Sequence, residues 1–233
     1  MTNSTTWLLA LCLAGTVVTA HPALADLAPD ERACQVGRGR AVYDMIAAQG
    51  SCIRRCRNRT GADCRLPDGA DVARCLATAK ARALRDVFGR PCRRACLDCY
   101  GGCGADVASG EVEYSSGLVT TFAAVVYCAT APIASESRCT DRVARAAAWF
   151  ARHYGLCFTR CHATGCDGGG PGNARAQTCA SRAARRVTTA IDARCAPAHG
   201  GTPPPCHGGL TGADWIGLVR GAVDNGRPVI FCR

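Results

Sequence analysis

The sequence predicts an all-α protein: two tandem, disulfide-stapled helical-hairpin units, each extended by a third helix. Three observations predict it. Cysteine is abundant, with 19 in 233 residues, and all but Cys12 lie beyond residue 25; an even set of 18 at such density marks a disulfide scaffold. The cysteine spacings recur along the chain, and between them apolar residues return every three to four positions, the period of a helix.

The first 25 residues hold no charged side chain, and Trp7 to Val18 is an apolar run shorter than the roughly 20 residues a membrane-spanning helix needs. Ala23-Leu24-Ala25 is a small-x-small site, so residues 1–25 read as a signal peptide cleaved before Asp26. Cys12 is preceded by Leu11 and lies too early in the run for a lipoprotein anchor. No later stretch is apolar for long enough to span a bilayer, which predicts a soluble, exported mature chain, secreted or periplasmic.

Leu, Ile, Val and Phe supply only 34 residues after position 25. So few bulky apolar groups offset little folding entropy, and covalent closure is expected to make up the difference by restricting the unfolded chain. The net charge is +10, with 27 Arg and the single Lys80. Such a surface favours an anionic surface or polymer as partner, although basic residues scattered along both halves also suit a simply solvated face.

Cys34, Cys52, Cys56, Cys64, Cys75 and Cys92 are matched in order by Cys139, Cys157, Cys161, Cys166, Cys179 and Cys195, the first three at one offset of 105 residues. Cys103 and Cys128 answer to Cys206 and Cys232. The units are therefore residues 26–130 and 131–233, with a junction near Ala129 to Ser137. From Cys34 to Cys52 is about 27 Å of helix and from Cys75 to Cys92 about 25 Å. Antiparallel helices of such matched length place Cys34 opposite Cys92 and Cys52 opposite Cys75. The same argument pairs Cys139 with Cys195 and Cys157 with Cys179. Cys56–Cys64 and Cys161–Cys166 then close the hairpin turns, and Cys103–Cys128, Cys206–Cys232 and a local Cys96–Cys99 complete a hypothetical set, since spacing alone never fixes connectivity.

Each element has its own signals. Pro29, Asp30 and Glu31 suit a helix start, and Cys34, Ala41, Met45, Ala48 and Cys52 form the expected inward stripe, flanked by Val42 and Ile46. Val72, Cys75, Leu76, Ala79, Ala83 and Val87 line the partner helix, which Gly89 and Pro91 end. Leu118, Val119, Phe122, Val125 and Val126 predict a third helix after Ser115-Ser116, although the run also suits a strand. In the second unit the stripe is Cys139, Val143, Ala146, Phe150 and Cys157. Thr211-Gly212-Ala213-Asp214 is a capping-box start before Trp215, Leu218, Val219, Ala222 and Val223. That helix is expected to stop at Asn225-Gly226, leaving Val229 to Phe231 extended, and Gly165 to Gly172 and Gly200 to Pro205 read as loops.

The Cys-bounded, Ala-rich helix pairs in both units resemble a class of exported bacterial proteins without known activity. The resemblance implies helical hairpins and no catalytic residue.

Candidate chemistry is sparse. Cys96-Leu97-Asp98-Cys99 is a CxxC, but no strand precedes it to set up a redox-active helix start, so a structural disulfide is the plainer reading. The CxxxC pairs Cys52/Cys56, Cys92/Cys96, Cys99/Cys103 and Cys157/Cys161 could bind Cu(I), as in copper-storing helical bundles, if the thiols were free. Cys157-Phe158-Thr159-Arg160-Cys161-His162 is one residue too long for haem attachment. His162 and Cys166 suggest zinc only at the expense of unpaired cysteines. Tyr100-Gly101-Gly102-Cys103-Gly104 has the look of a secreted phospholipase calcium loop, but the His-Asp pair such an enzyme needs does not occur. His199 and His207 have no triad partner at a recognisable spacing, and His153 falls beside the helix stripe as a packed neighbour. No catalytic residue, cofactor or metal site is predicted.

Arg54, Arg55, Arg57 and Arg59 cluster at one hairpin turn, and Arg182, Arg185 and Arg186 share a helix surface; both sets could grip oxyanions. Aromatics for stacking on bases are sparse nearby, and no nucleic-acid motif is present. Asn58-Arg59-Thr60 is a glycosylation sequon. The expected function is therefore a non-enzymatic binding or envelope-associated structural module. The alternatives are a thiol-dependent protein, either a Cu(I) store or a CxxC redox factor, and a basic effector acting at anionic membranes.

Overall fold

The computed structural model describes residues 27–60, 70–87, 92–93, 95, 105–127, 134–163 and 173–231. Every regular element among them is helical. The α-helices are α1 (Pro29–Thr60), α2 (Ala70–Val87), α3 (Ala105–Tyr127), α4 (Ala134–Ala163), α5 (Ala174–Cys195) and α6 (Gly212–Ile230), with short 3₁₀ turns at Pro197–His199 and Pro205–His207. None of these helices is long and apolar enough to cross a membrane.

The long helices α1 and α4 form the central pair and pack against each other more extensively than any other two elements. They run antiparallel: Tyr43 lies against Gly155, Gly50 against Ala148, and Arg54 bonds to Asp141. Each has a hairpin partner, α2 on α1 and α5 on α4. Disulfides close both ends of both hairpins, Cys34–Cys92 and Cys52–Cys75 in the first, Cys139–Cys195 and Cys157–Cys179 in the second. Cys56, Cys161 and Cys206 are also disulfide-bonded. The expected pairings Cys56–Cys64, Cys96–Cys99, Cys103–Cys128, Cys161–Cys166 and Cys206–Cys232 each involve a cysteine outside the described residues, and the expected signal peptide and the Gly165 to Gly172 loop also lie outside them.

α3 lies parallel to α1, and α6 lies antiparallel to α3, with Phe122 edge-on to Trp215 at 5.9 Å between centroids. One apolar core runs through both halves of the chain. It joins Val42 and Ile53 of α1, Val126 of α3, Phe150 of α4, Ile191 of α5 and Trp215 of α6. A smaller cluster of Met45, Ala79, Ala83 and Val112 fills the space between α1, α2 and α3.

Several expectations from the pattern need correction. Ala48 is exposed, while Gln49 is fully buried and donates from Nε2 to Ser116 Oγ at 3.0 Å. α1 is covered by α2, α3 and α4 together, so its buried surface is not one stripe. Arg38 likewise points into the molecule and forms a buried ion pair with Glu111. The strand alternative for residues 118–126 does not hold, and α3 begins ten residues before Ser115; its Val125 faces solvent, 46% exposed. α6 does not stop at Asn225-Gly226 but continues through Pro228 to Ile230. Burial explains the continuation, because Ile230 and Phe231 are both almost fully buried, and Phe231 seats its ring on Gly39 of α1. A Cβ at Gly39 would lie 2.7 Å from Phe231 Cζ and 2.8 Å from Thr159 Oγ1, so only glycine admits that approach.

Helix ends follow the local chemistry. Glu31 reaches back to the Ala28 N–H at 2.8 Å, and Asn173 Oδ1 accepts from Arg175 and Ala176 at the start of α5. Thr211 and Asp214 form the complete capping box the sequence predicts. Each such cap satisfies N–H groups that lack an intrahelical partner.

Candidate functional site: an apolar cleft beside an arginine cluster

α3 covers the α1–α4–α6 platform loosely, and an open apolar cleft of about 80 Å³ lies beneath it. Val42, Ile46 and Ile53 of α1 form part of its floor, and Val119 and Phe122 of α3 one wall. Val219 and Ala222 of α6 and Ala144 of α4 complete it. From Tyr43 to Ile53 the floor extends ten residues along α1, roughly 15 Å of helix. Among the described residues, Tyr114, Val125 and Leu218 are the large apolar side chains most exposed to solvent, at 47%, 46% and 49%. Helical spacing places each within one turn of a lining residue, Leu118, Phe122 and Ala222 respectively, so they rim the cleft.

Two tyrosines close the cleft's ends. Tyr43 and Tyr127 both line it, both are almost fully buried, and neither phenol oxygen has a hydrogen-bond partner among the described residues. Burial raises the pKa of both above the ordinary tyrosine value, so both hydroxyls keep their protons. A buried donor without a partner costs free energy in the empty protein.

The surroundings of the two ends differ. Near Tyr43 the charges are mixed: Tyr154 donates to Asp224 at 2.9 Å, Asp224 pairs with Arg227 at 3.4 Å, and Glu111 pairs with Arg38. Burial and the neighbouring Asp224 carboxylate push the Tyr154 phenol up to about 12. Near Tyr127 cations dominate. Arg57 lies over the Tyr127 ring, 5.2 Å from its centroid, and donates to the Tyr127 carbonyl at 3.0 Å. Asp141 is a carboxylate near this end, accepting from Arg54 (3.4 Å), Asn58 (3.1 Å) and Arg145 (2.8 Å). Partial burial acts to raise its pKa, but the bond from Asn58 and the charges of Arg145 and Arg54 outweigh this and hold the carboxyl below its usual range.

A second, polar groove of about 210 Å³ lies on the other side of the α1–α4 contact, lined by Arg54, Arg145, Arg152 and His153. Gly50, Ala144 and Ala148 line both spaces, so the wall between them is built of the smallest residues. Arg152 pairs with Asp44 at 2.5 Å. His153 stacks on Trp149 at 3.7 Å, and Arg186 lies over the same indole at 5.0 Å.

The arginines singled out in the sequence thus separate. Arg57 reaches Tyr127 and Arg54 lines the polar groove, whereas Arg55 and Arg59 are exposed, Arg55 donating to the Ser51 carbonyl and to Cys75 Sγ. Arg182, Arg185 and Arg186 lie exposed on α5, and of these Arg186 reaches Trp149. Arg145, Arg152 and Asp141 were not singled out, because they join the cluster only through the α1–α4 contact. Cys52, Cys56, Cys92, Cys157 and Cys161 are all oxidised, which removes these thiols from Cu(I) binding. Among the described residues no group of three or more His, Cys, Asp or Glu side chains is placed to hold a metal ion. Comparison with protein-family models, with curated proteins and with solved structures gives no match.

Proposed function

We propose that this protein is exported after cleavage near Ala25, that it arose by tandem duplication of a Cys-bounded helix pair, and that it works as a non-enzymatic binding module for an aliphatic chain. The cleft under α3 is the observation that supports the binding reading. Its lining is almost wholly apolar, and its mouth gathers the large hydrophobic side chains Tyr114, Val125 and Leu218. Apolar concavities with few polar groups are the usual form of small-molecule sites, and exposed apolar rims mark interaction surfaces. The volume favours a narrow chain over a bulky ring, since it is about half that of the roughly 150 Å³ cavity known to take up benzene.

A short neutral alkane such as pentane, titrated into the oxidised chain and followed by methyl NMR, tests the reading. One equivalent is expected to bind, with saturable shifts confined to cleft methyl groups such as those of Val42, Ile46 and Val119. Ala222→Phe and Ala144→Phe fill the cleft from two helices and are expected to weaken binding at least tenfold, with helical circular dichroism retained. Unchanged binding by both folded variants rejects the cleft as the site.

A further inference from the structure

We infer that the polar groove between α1 and α4 is a second binding site, independent of the apolar cleft, and that it takes a short aliphatic dicarboxylate. One carboxylate sits at each end of the groove, and the methylene spacer lies along the middle.

Three observations lead to it. The first is the lining: Arg54, Arg145 and Arg152 border the groove together with His153, and no carboxylate does. Asp141 holds Arg54 and Arg145 from outside the lining, and Asp44 holds Arg152. Each of these arginines is bonded through one nitrogen, and a guanidinium carries five N–H donors, so donors remain for a planar carboxylate. The second is the spacing of charge. Antiparallel packing puts Arg54 and Arg145 together at the Asp141 end and Arg152 at the Asp44 end, and Arg145 to Arg152 is roughly 10 Å along α4. At the first end two guanidiniums share one carboxylate. At the second, Asp44 matches Arg152, while Arg186 adds a further cation over the Trp149 indole on which His153 stacks. Among these groups each end has one positive charge in excess, which two separated single charges neutralise and one compact dianion does not. The third is the middle. Ala47, Gly50, Ala144 and Ala148 lie between the ends, with Ser51 as the polar exception. That surface suits a methylene spacer better than a chain of phosphates, in which every unit is charged and needs its own partner. Allowing a hydrogen bond of about 3 Å at each end, the span leaves room for a spacer of about two to four methylene groups. The groove, at about 210 Å³, exceeds the roughly 150 Å³ cavity that takes up benzene, so a ligand of this size fits.

Titration calorimetry on the oxidised chain at low ionic strength compares glutarate with pentanoate, which has the same carbon chain and a single carboxylate. Glutarate is expected to bind at least tenfold more tightly, and sebacate, whose spacer is too long, to fall back to the level of pentanoate. Arg145→Gln and Arg152→Gln act at opposite ends, and each is expected to weaken glutarate about tenfold with helical circular dichroism retained. Asp44→Asn releases Arg152 from its competitor and is expected to tighten glutarate severalfold. An arginine that served only to clamp α1 to α4 would not produce these opposite signs. Equal binding of glutarate and pentanoate by the parent chain, sebacate binding as tightly as glutarate, or weaker glutarate binding by Asp44→Asn overturns the two-headed ligand. Pyrophosphate binding more tightly than glutarate overturns the spacer in favour of a condensed phosphate. Binding of none of these anions overturns the site and leaves the apolar cleft untouched.

Discussion

At the scale of single residues, a hydrogen in place of a side chain sets how closely α1 and α4 approach. A Cβ at Gly155 would overlap the Tyr43 ring, whereas Gly221 in α6 faces open space. The two positions should therefore respond oppositely to alanine. Gly155→Ala is expected to lower stability by about 1–3 kcal/mol through overpacking, and Gly221→Ala to raise it by about 0.5–1 kcal/mol through helix propensity, both read from urea midpoints. His207 gives the protein an acid-sensitive point. It is buried, its Nε2–H donates to the Val126 carbonyl at 2.8 Å, and its ring stands edge-on to Trp215. Burial holds its pKa below the ordinary histidine value, with the Val126 carbonyl and Glu136 acting the other way but not prevailing; His153 shifts in the same direction, chiefly by burial. The unfolded chain then takes up protons before the folded one. Stability is full above about pH 6.5 and falls as pH drops from there toward the depressed folded values. His207→Phe keeps the ring against Trp215 and is expected to flatten the melting temperature between about pH 7 and about pH 5.

At the scale of elements, the disulfides at the two ends of a hairpin should not be equal. Cys34–Cys92 closes 58 residues and Cys52–Cys75 closes 23. Restriction of the unfolded chain then contributes about 4 and about 3 kcal/mol, and paired Cys→Ala variants are expected to rank accordingly in denaturant titrations. The cap of α6 is separable from these: Thr211→Ala should cost about 1 kcal/mol by releasing the Asp214 N–H. The elements were largely readable in the sequence because cysteine spacing measures helix length and because caps and apolar periods are local. What escaped reading was not local. Ala48 and Gln49 exchange the roles their periodicity assigns because three helices surround α1. The last turn of α6 forms against its own Asn-Gly-Arg-Pro signals because Phe231 finds a seat on Gly39, 192 residues away in sequence.

At the scale of the whole molecule, the halves share their interior. α1 belongs to the first half and α4 to the second, yet these two make the largest contact, so a chain divided near residue 130 exposes the central face of each. Fragments 26–130 and 131–233 are expected to melt well below the intact chain or to associate one to one, which size-exclusion chromatography with circular dichroism will show. The candidate site was illegible for the same reason. The turn arginines Arg54 and Arg57 stood out in the sequence, but the cleft beside them needs residues from α1, α3, α4 and α6, and no local pattern announces a space between helices. The arrangement of cross-links has a further consequence. Residues 105–127 and 212–230 contain no cysteine, so the two helices that border the mouth are anchored along their lengths by packing alone, over hairpins that are covalently fixed. Breathing should therefore concentrate in α3 and α6, as faster amide exchange there than in α1 and α4. A guest could enter by displacing these walls while the base it settles on, already rigid, gives up almost no entropy.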